Sequence, residues 1–189
     1  MNTFFTSDSH YHHKNIIKYC NRPFHDIEEM KEGLIERWNK VVSEGDTVYH
    51  LGDFAFGGIN AWNEVIPRLN GNITLILGNH DLKQHATNKD IILDSFKEVC
   101  FQKQIIINDN LIYMNHYPLL CYPDPLTNWN LFGHVHSGPN YNGSDKERLK
   151  YLYPTQYDVG VDNNNYAPIA YEEVKQIITK QLYENLCDK

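Results

Sequence analysis

The apolar residues nearest the start of the chain fall into short runs rich in β-branched and aromatic types. Residues 3–6 (Thr-Phe-Phe-Thr), 47–51 (Thr-Val-Tyr-His-Leu) and 73–77 (Ile-Thr-Leu-Ile-Leu) predict short buried strands. Between the first two, Ile27, Met30, Leu34, Trp38 and Val41 recur at the spacing of one helix face, and Asp26 with Glu29 predicts a capping box at its start. Strand, helix and strand in this order predict a β-α-β unit. Residues 61–69 predict the next crossover helix, stopped or kinked near Pro67, before Asn70-Gly71 turns the chain into the third strand.

The pattern then changes. Residues 98–107 and 111–115 predict two strands joined at Asn108-Asp109-Asn110, an antiparallel hairpin that makes the sheet system mixed. A loop containing Pro118, Pro123 and Pro125 leads to a short strand at residues 130–132, and residues 138–145 read as a mobile surface loop. A strand near residues 157–161 precedes a closing helix with Tyr171, Val174, Ile177, Ile178 and Leu182 on one face. No repeat or long linker interrupts the pattern, so residues 1–189 are expected to form a single domain.

Composition narrows the function. A 41% hydrophobic content fits a soluble globular chain, and a net charge of −7 argues against a broad basic surface for nucleic acid or anionic lipid. No basic segment followed by a long apolar one opens the chain, and no apolar run is long enough to span a bilayer. Cys20, Cys100, Cys121 and Cys187 stand far apart, which predicts reduced thiols and a cytoplasmic protein.

The candidate chemistry lies where the strand-like runs end: Asp8-x-His10, Gly52-Asp53, Gly78-Asn79-His80-Asp81, His116 and Gly133-His134-Val135-His136. Singly, each block has a bland reading as a polar turn, a capped helix start or an exposed histidine pair. Together they place hard oxygen and imidazole ligands at one edge of a sheet, where open α/β folds hold their ligands.

In this order the blocks resemble the calcineurin-like metallophosphoesterase family. The resemblance implies a four-layer α/β/β/α sandwich with two mixed sheets, hydrolysing phosphate esters with two divalent ions. One ion would be held by Asp8, His10, Asp53 and His136, the other by Asp53, Asn79, His116 and His134, with Asp53 bridging. His80 would protonate the leaving oxygen or bond the phosphoryl group, with Asp81 steering it. A ligand set without thiolate suits Mn²⁺, Fe or Zn²⁺, and manganese is favoured. A water or hydroxide shared by the ions would attack phosphorus in line.

The second block lacks the Gly-Asp-x-x-Asp-Arg-Gly of protein Ser/Thr phosphatases, because Phe56 stands where the second Asp would be. The runs His13-Lys14-Asn15-Ile16-Ile17 and Asn21-Arg22-Pro23-Phe24 are similar instead to a small bacterial and phage subgroup. His13, Asn15 and Arg22 are candidates to line a phosphate pocket, Arg22 as a fork onto phosphate oxygens. His12 is read as part of a solvated loop, and His25, His50 and His85 carry no assigned role. The expected partner is a small phosphate ester, with nucleotides among the candidates and no membrane. A diester is favoured over a monoester because no cap domain is evident. A non-catalytic binding module on the same fold is the alternative of a different class.

Overall fold

In the computed structural model, which describes residues 1–82, 95–140 and 145–187, the three early strands run parallel side by side. They are β1 (Thr3–Thr6), β2 (Thr47–His50) and β3 (Asn72–Ile76). β4 (Glu98–Cys100) continues the parallel run beside β3, and β9 (Ile169–Ala170) closes the other edge antiparallel to β1, giving the order β4-β3-β2-β1-β9. The second sheet, β5-β6-β7-β8, comprises β5 (Gln102–Ile107), β6 (Asn110–Asn115), β7 (Trp129–Phe132) and β8 (Gln156–Asp158). Its first pair is antiparallel and the others parallel, so both sheets are mixed, as expected.

Alternation along the strands divides the core. Phe4, Val48, Ile73 and Leu75 pack with Met30, Leu34 and Trp38 of α2 (Ile27–Val41). Phe5, Leu51 and Ile76 face the opposite way and meet Ile112, Met114, Trp129 and Leu131 of the second sheet. The outer face of that sheet is covered by the Pro-rich segment, where Leu119 N donates to Asn130 Oδ1 (3.0 Å) and Gln156 Nε2 donates to Leu119 O (3.0 Å). The closing helix buries Tyr171, Val174 and Ile178 in the core between the sheets.

Helix boundaries follow local chemistry. Asp26 Oδ1 accepts from the N–H groups of Glu28 and Glu29 and caps α2, while Glu29 reaches back to His25 N (2.7 Å), one residue short of a capping box. α3 (Gly58–Val65) starts earlier than expected and runs into a 3₁₀ turn, Ile66–Arg68, at Pro67. The short α1 (Lys14–Tyr19) was not predicted, because its one buried residue, Ile16, leaves no periodic signature. α4 (Lys146–Leu149) is a single turn, and α5 (Tyr171–Cys187) is the closing helix.

Two expected strands are corrected. The run 98–107 breaks at exposed Phe101, and its halves join different sheets, so this residue is where the chain crosses between layers. The strand expected over residues 157–161 is β8, which stops at Asp158 and gives way to the 3₁₀ turn Val161–Asn163. Residues 141–144 of the expected surface loop, and His85, lie outside the described residues. No helix of the described residues is long and apolar enough to cross a membrane.

Candidate metal centre

Past the ends of β1 and β2 the chain keeps pairing in distorted form: Asp8 N donates to Gly52 O (2.9 Å) and His10 N to Asp53 O (3.0 Å). Here the backbone turns left-handed, with φ of 57° at Asp8, 51° at His10 and 55° at Asp53, and the same holds at His134 (70°) and His136 (50°). A non-glycine residue in this region costs roughly 1–2 kcal/mol, so the surrounding structure must impose it. Two glycines permit the close approach. A Cβ at Gly133 would overlap Ser7 Oγ and Asp8 Oδ2, and one at Gly78 would overlap Asp53 Oδ1.

These turns gather two groups whose ligand atoms lie within 4.8 Å of one another: Asp8, His10 and His136, and Asp53, His116 and His134. Asp53 faces both, with Oδ2 3.6 Å from His10 Nε2 and Oδ1 3.6 Å from His116 Nε2. Asn79 Oδ1 joins the second group 3.1 Å from His116 Nε2. All seven residues expected as ligands thus meet in one place.

Supporting partners fix which nitrogen His116 and His136 present. His116 Nδ1 donates to Leu51 O (2.7 Å), leaving Nε2 toward Asp53. His136 Nδ1 donates to Asp162 Oδ2 (2.7 Å), leaving Nε2 3.7 Å from Asp8 Oδ1. Asp162 is gripped by Arg22 through Nε and Nη2, both at 2.8 Å, and the same guanidinium donates to Asp8 O (2.7 Å) and Ser9 O (2.9 Å). Arg22 is therefore corrected from a phosphate ligand to a buried clasp, since its donors are spent within the protein. Asp81 is corrected in the same way: its carboxylate accepts from the N–H groups of Asp53, Phe54 and Gly78, which fastens two ligand turns together, instead of steering His80.

The electrostatics call for cations. Burial, then the Asp8 carboxylate, pushes the Asp53 carboxyl up to about 7. Burial, with His136 and other cationic groups adding to it, holds the His10 imidazole well below its ordinary value. Burial would also lower His136, but Asp8 and the hydrogen bond to Asp162 outweigh it and hold that ring well above its ordinary value, so a proton stands where positive charge is wanted. Asp8 Oδ1 and both ring nitrogens of His10 are buried without a hydrogen-bond partner among the described residues. Buried polar atoms left unpartnered in this way, beside two carboxylates and without a thiolate in either group, fit a pair of divalent cations.

A cleft of about 520 Å³ opens over this centre, walled by His13, Ile16, Phe56, His80, Val135 and Tyr166 among others. His80 stands at its mouth with Nε2 3.8 Å from Asp53 Oδ2, while its backbone N–H donates to Asp53 Oδ1 (2.9 Å). His13 borders the cleft, stacked on Phe56 at 3.9 Å. Asn15 is exposed on α1 outside the lining, which corrects its place in the site. His12, read as part of a solvated loop, is instead half-buried and pairs with Glu64 at 3.2 Å.

Sequence reading missed Asp162, Asp158 and His50. Asp158 holds the His136 turn by accepting from Ser137 N (2.8 Å) and Ser137 Oγ (2.6 Å). His50 Nδ1 accepts from Gly52 N (3.3 Å), so its Nε2 carries the proton and donates to Ser9 Oγ (2.9 Å). Burial drives its pKa down to about 3, keeping it neutral. Only the strand-end position of His50 and Asp158 hinted at these roles.

Comparison with known proteins agrees with this geometry. The calcineurin-like phosphoesterase family model matches residues 1–174. An uncharacterized protein of Methanocaldococcus jannaschii is 33% identical over 178 residues, covering 92% of this chain and 89% of that protein. The Gene 66 protein of Mycobacterium phage L5 is 41% identical over 93 residues, 47% of this chain and 44% of its own length. The crystal structure of a protein of unknown function from Aquifex aeolicus superposes with a TM-score of 0.69 at 27% identity, covering 93% of this chain and 98% of that one.

Proposed function

The chain belongs to the calcineurin-like phosphoesterase family, and from that premise we propose that it is a phosphodiesterase working with two divalent ions. Asp8, His10, Asp53 and His136 hold one ion, and Asp53, Asn79, His116 and His134 the other. The observation that carries this reading is the position of Asp53, one carboxylate oxygen toward each candidate group. Two dications bound there would supply the activation of water near neutral pH and the neutralisation of charge on the phosphoryl oxygens.

The chain's own residues do the rest. Asp8 and Asp53 return two negative charges against four positive, and neutral Asn79 adds none, so the centre stays electropositive within an acidic protein and draws a phosphate ester in. His80, beside Asn79 at the mouth of the cleft, gives a proton to the departing oxygen. Phe56, packed against His13 and His80, limits how far their rings can swing. Manganese is the favoured ion. The four cysteines are unpaired, which fits a reducing cytoplasm.

Turnover of bis-p-nitrophenyl phosphate and p-nitrophenyl phosphate by the Mn²⁺-loaded protein tests the reading: the diester should be the better substrate. Preference for the monoester would make the protein a phosphomonoesterase instead. No turnover of either, with fewer than two ions per chain by metal analysis, would make it a binding module. His80→Asn should lower kcat on the order of 10²-fold or more while both ions stay bound; loss of an ion in that variant would mean His80 is a ligand.

A further inference from the structure

A second cavity, of about 540 Å³, adjoins the first, and the two share His134, Val135 and Asp145 as a common wall. Its chemistry differs. Tyr117, Pro118, Leu119, Leu120, Leu149 and Leu152 line it, and its polar groups are largely committed elsewhere. Gln156 Nε2 donates to Leu119 O (3.0 Å) and Asn130 Oδ1 (2.7 Å), and its Oε1 accepts from Tyr153 N (2.9 Å). Arg148 is paired at the rim with Asp145 at 2.9 Å. Tyr117 sits at the entrance, its ring 4.6 Å from that of His134. Leu120 and Tyr151 in this groove are 80% and 81% exposed, an apolar surface left open to solvent beside a polar centre.

The position of His80 decides which part of a substrate reaches this groove. His80 borders the first cleft and not the second. A leaving oxygen that takes its proton from His80 therefore departs into the first cleft. The substituent that stays on phosphorus is left on the His134 side, against Tyr117.

We infer that the second cavity seats the retained arm of a phosphodiester, and that this arm is a flat, apolar ring such as an aryl group or a nucleobase. The inference rests on the diesterase reading above and adds a substrate class to it. Because the groove's amide is already committed, the ring is held by shape and burial, without reading of its polar edge. A monoester has no arm to place there.

The test varies the retained arm and keeps the leaving group constant. With Mn²⁺-loaded protein, kcat/KM for p-nitrophenyl phenyl phosphate should exceed that for p-nitrophenyl methyl phosphate by about tenfold or more, as expected for moving most of one ring out of water. Leu120→Asn and Leu149→Asn, which add no charge near the ions, should shrink that ratio to about twofold and leave the methyl ester unaffected. Diphenyl phosphate, but not dimethyl phosphate, should slow nitration of Tyr117 and Tyr151. The p-nitrophenyl ester of thymidine 5′-phosphate identifies the source: parity with the phenyl ester points to a nucleoside, and a rate at the methyl level to a non-nucleotide aryl ring. Equal kcat/KM for the methyl and phenyl esters would overturn the inference and leave the diesterase standing, whereas no hydrolysis of either diester would overturn both.

Discussion

Arg22 joins ligands that are far apart in the chain. Its guanidinium grips Asp162, which orients His136, and also bonds the carbonyl of Asp8, so one side chain braces two residues of the first ion group. Arg22→Met leaves buried Asp162 with His136 as its remaining partner and takes the donors from Asp8 O and Ser9 O, and should lower stability by about 3–5 kcal/mol in urea unfolding. Arg22→Lys keeps the charge without the fork, and should weaken Mn²⁺ binding by roughly 10–100-fold in titration calorimetry while the fold survives. The pKa of Asp53, raised to about 7, gives binding a direction with pH. Below that value the carboxyl holds a proton that an ion must displace, and His136, held well above its ordinary value, holds a second, so affinity should rise with pH steeply up to about 7 and more gently beyond it, with proton release detectable in buffers of different ionisation enthalpy. The ligands could be read from the sequence because each stands beside a strand end. Asp162 could not, since its meaning comes from a partner 140 positions away.

The elements deliver these residues through strand ends that fail to stay straight. The ligand turns after β1 and β2 remain bonded to each other, and Gly133 lets the turn carrying His134 and His136 approach Asp8. Gly133→Ala should shift that turn, cost about 1–3 kcal/mol and lower ion occupancy at His134 and His136, which metal analysis of purified protein would reveal. The β-α-β opening was legible because α2 and the first three strands each carry a clean hydrophobic period. The exchange of sheets at Phe101 was not, because β4 and β5 sit almost end to end in one unbroken strand-like run and only the pairing partners separate them.

In the whole molecule the centre is assembled from residues 8 to 162, spanning both sheets, so binding there should tie the layers together. At about 100 times Kd, Mn²⁺ should add about 2.7 kcal/mol to stability, seen as a higher Tm than in chelator. Acid should loosen the same region through His50. Its folded pKa is about 3 against an ordinary 6.5, so the unfolded chain takes a proton that the native one refuses. His50's contribution is therefore complete above pH 6.5 and falls by about 1.4 kcal/mol for each pH unit below it, toward pH 3. Urea unfolding from pH 7 to pH 4 should show His50→Gln losing stability less steeply, by up to one proton. The left-handed backbone at the ligand positions has a cost for evolution as well as for folding. Glycine tolerates that conformation best, so the residues that bind best at these positions hold the chain worst, and drift toward glycine would be rewarded wherever the ions were not needed. In chelator, His134→Gly should melt no lower than the parent protein, and the ranking should reverse once Mn²⁺ is restored.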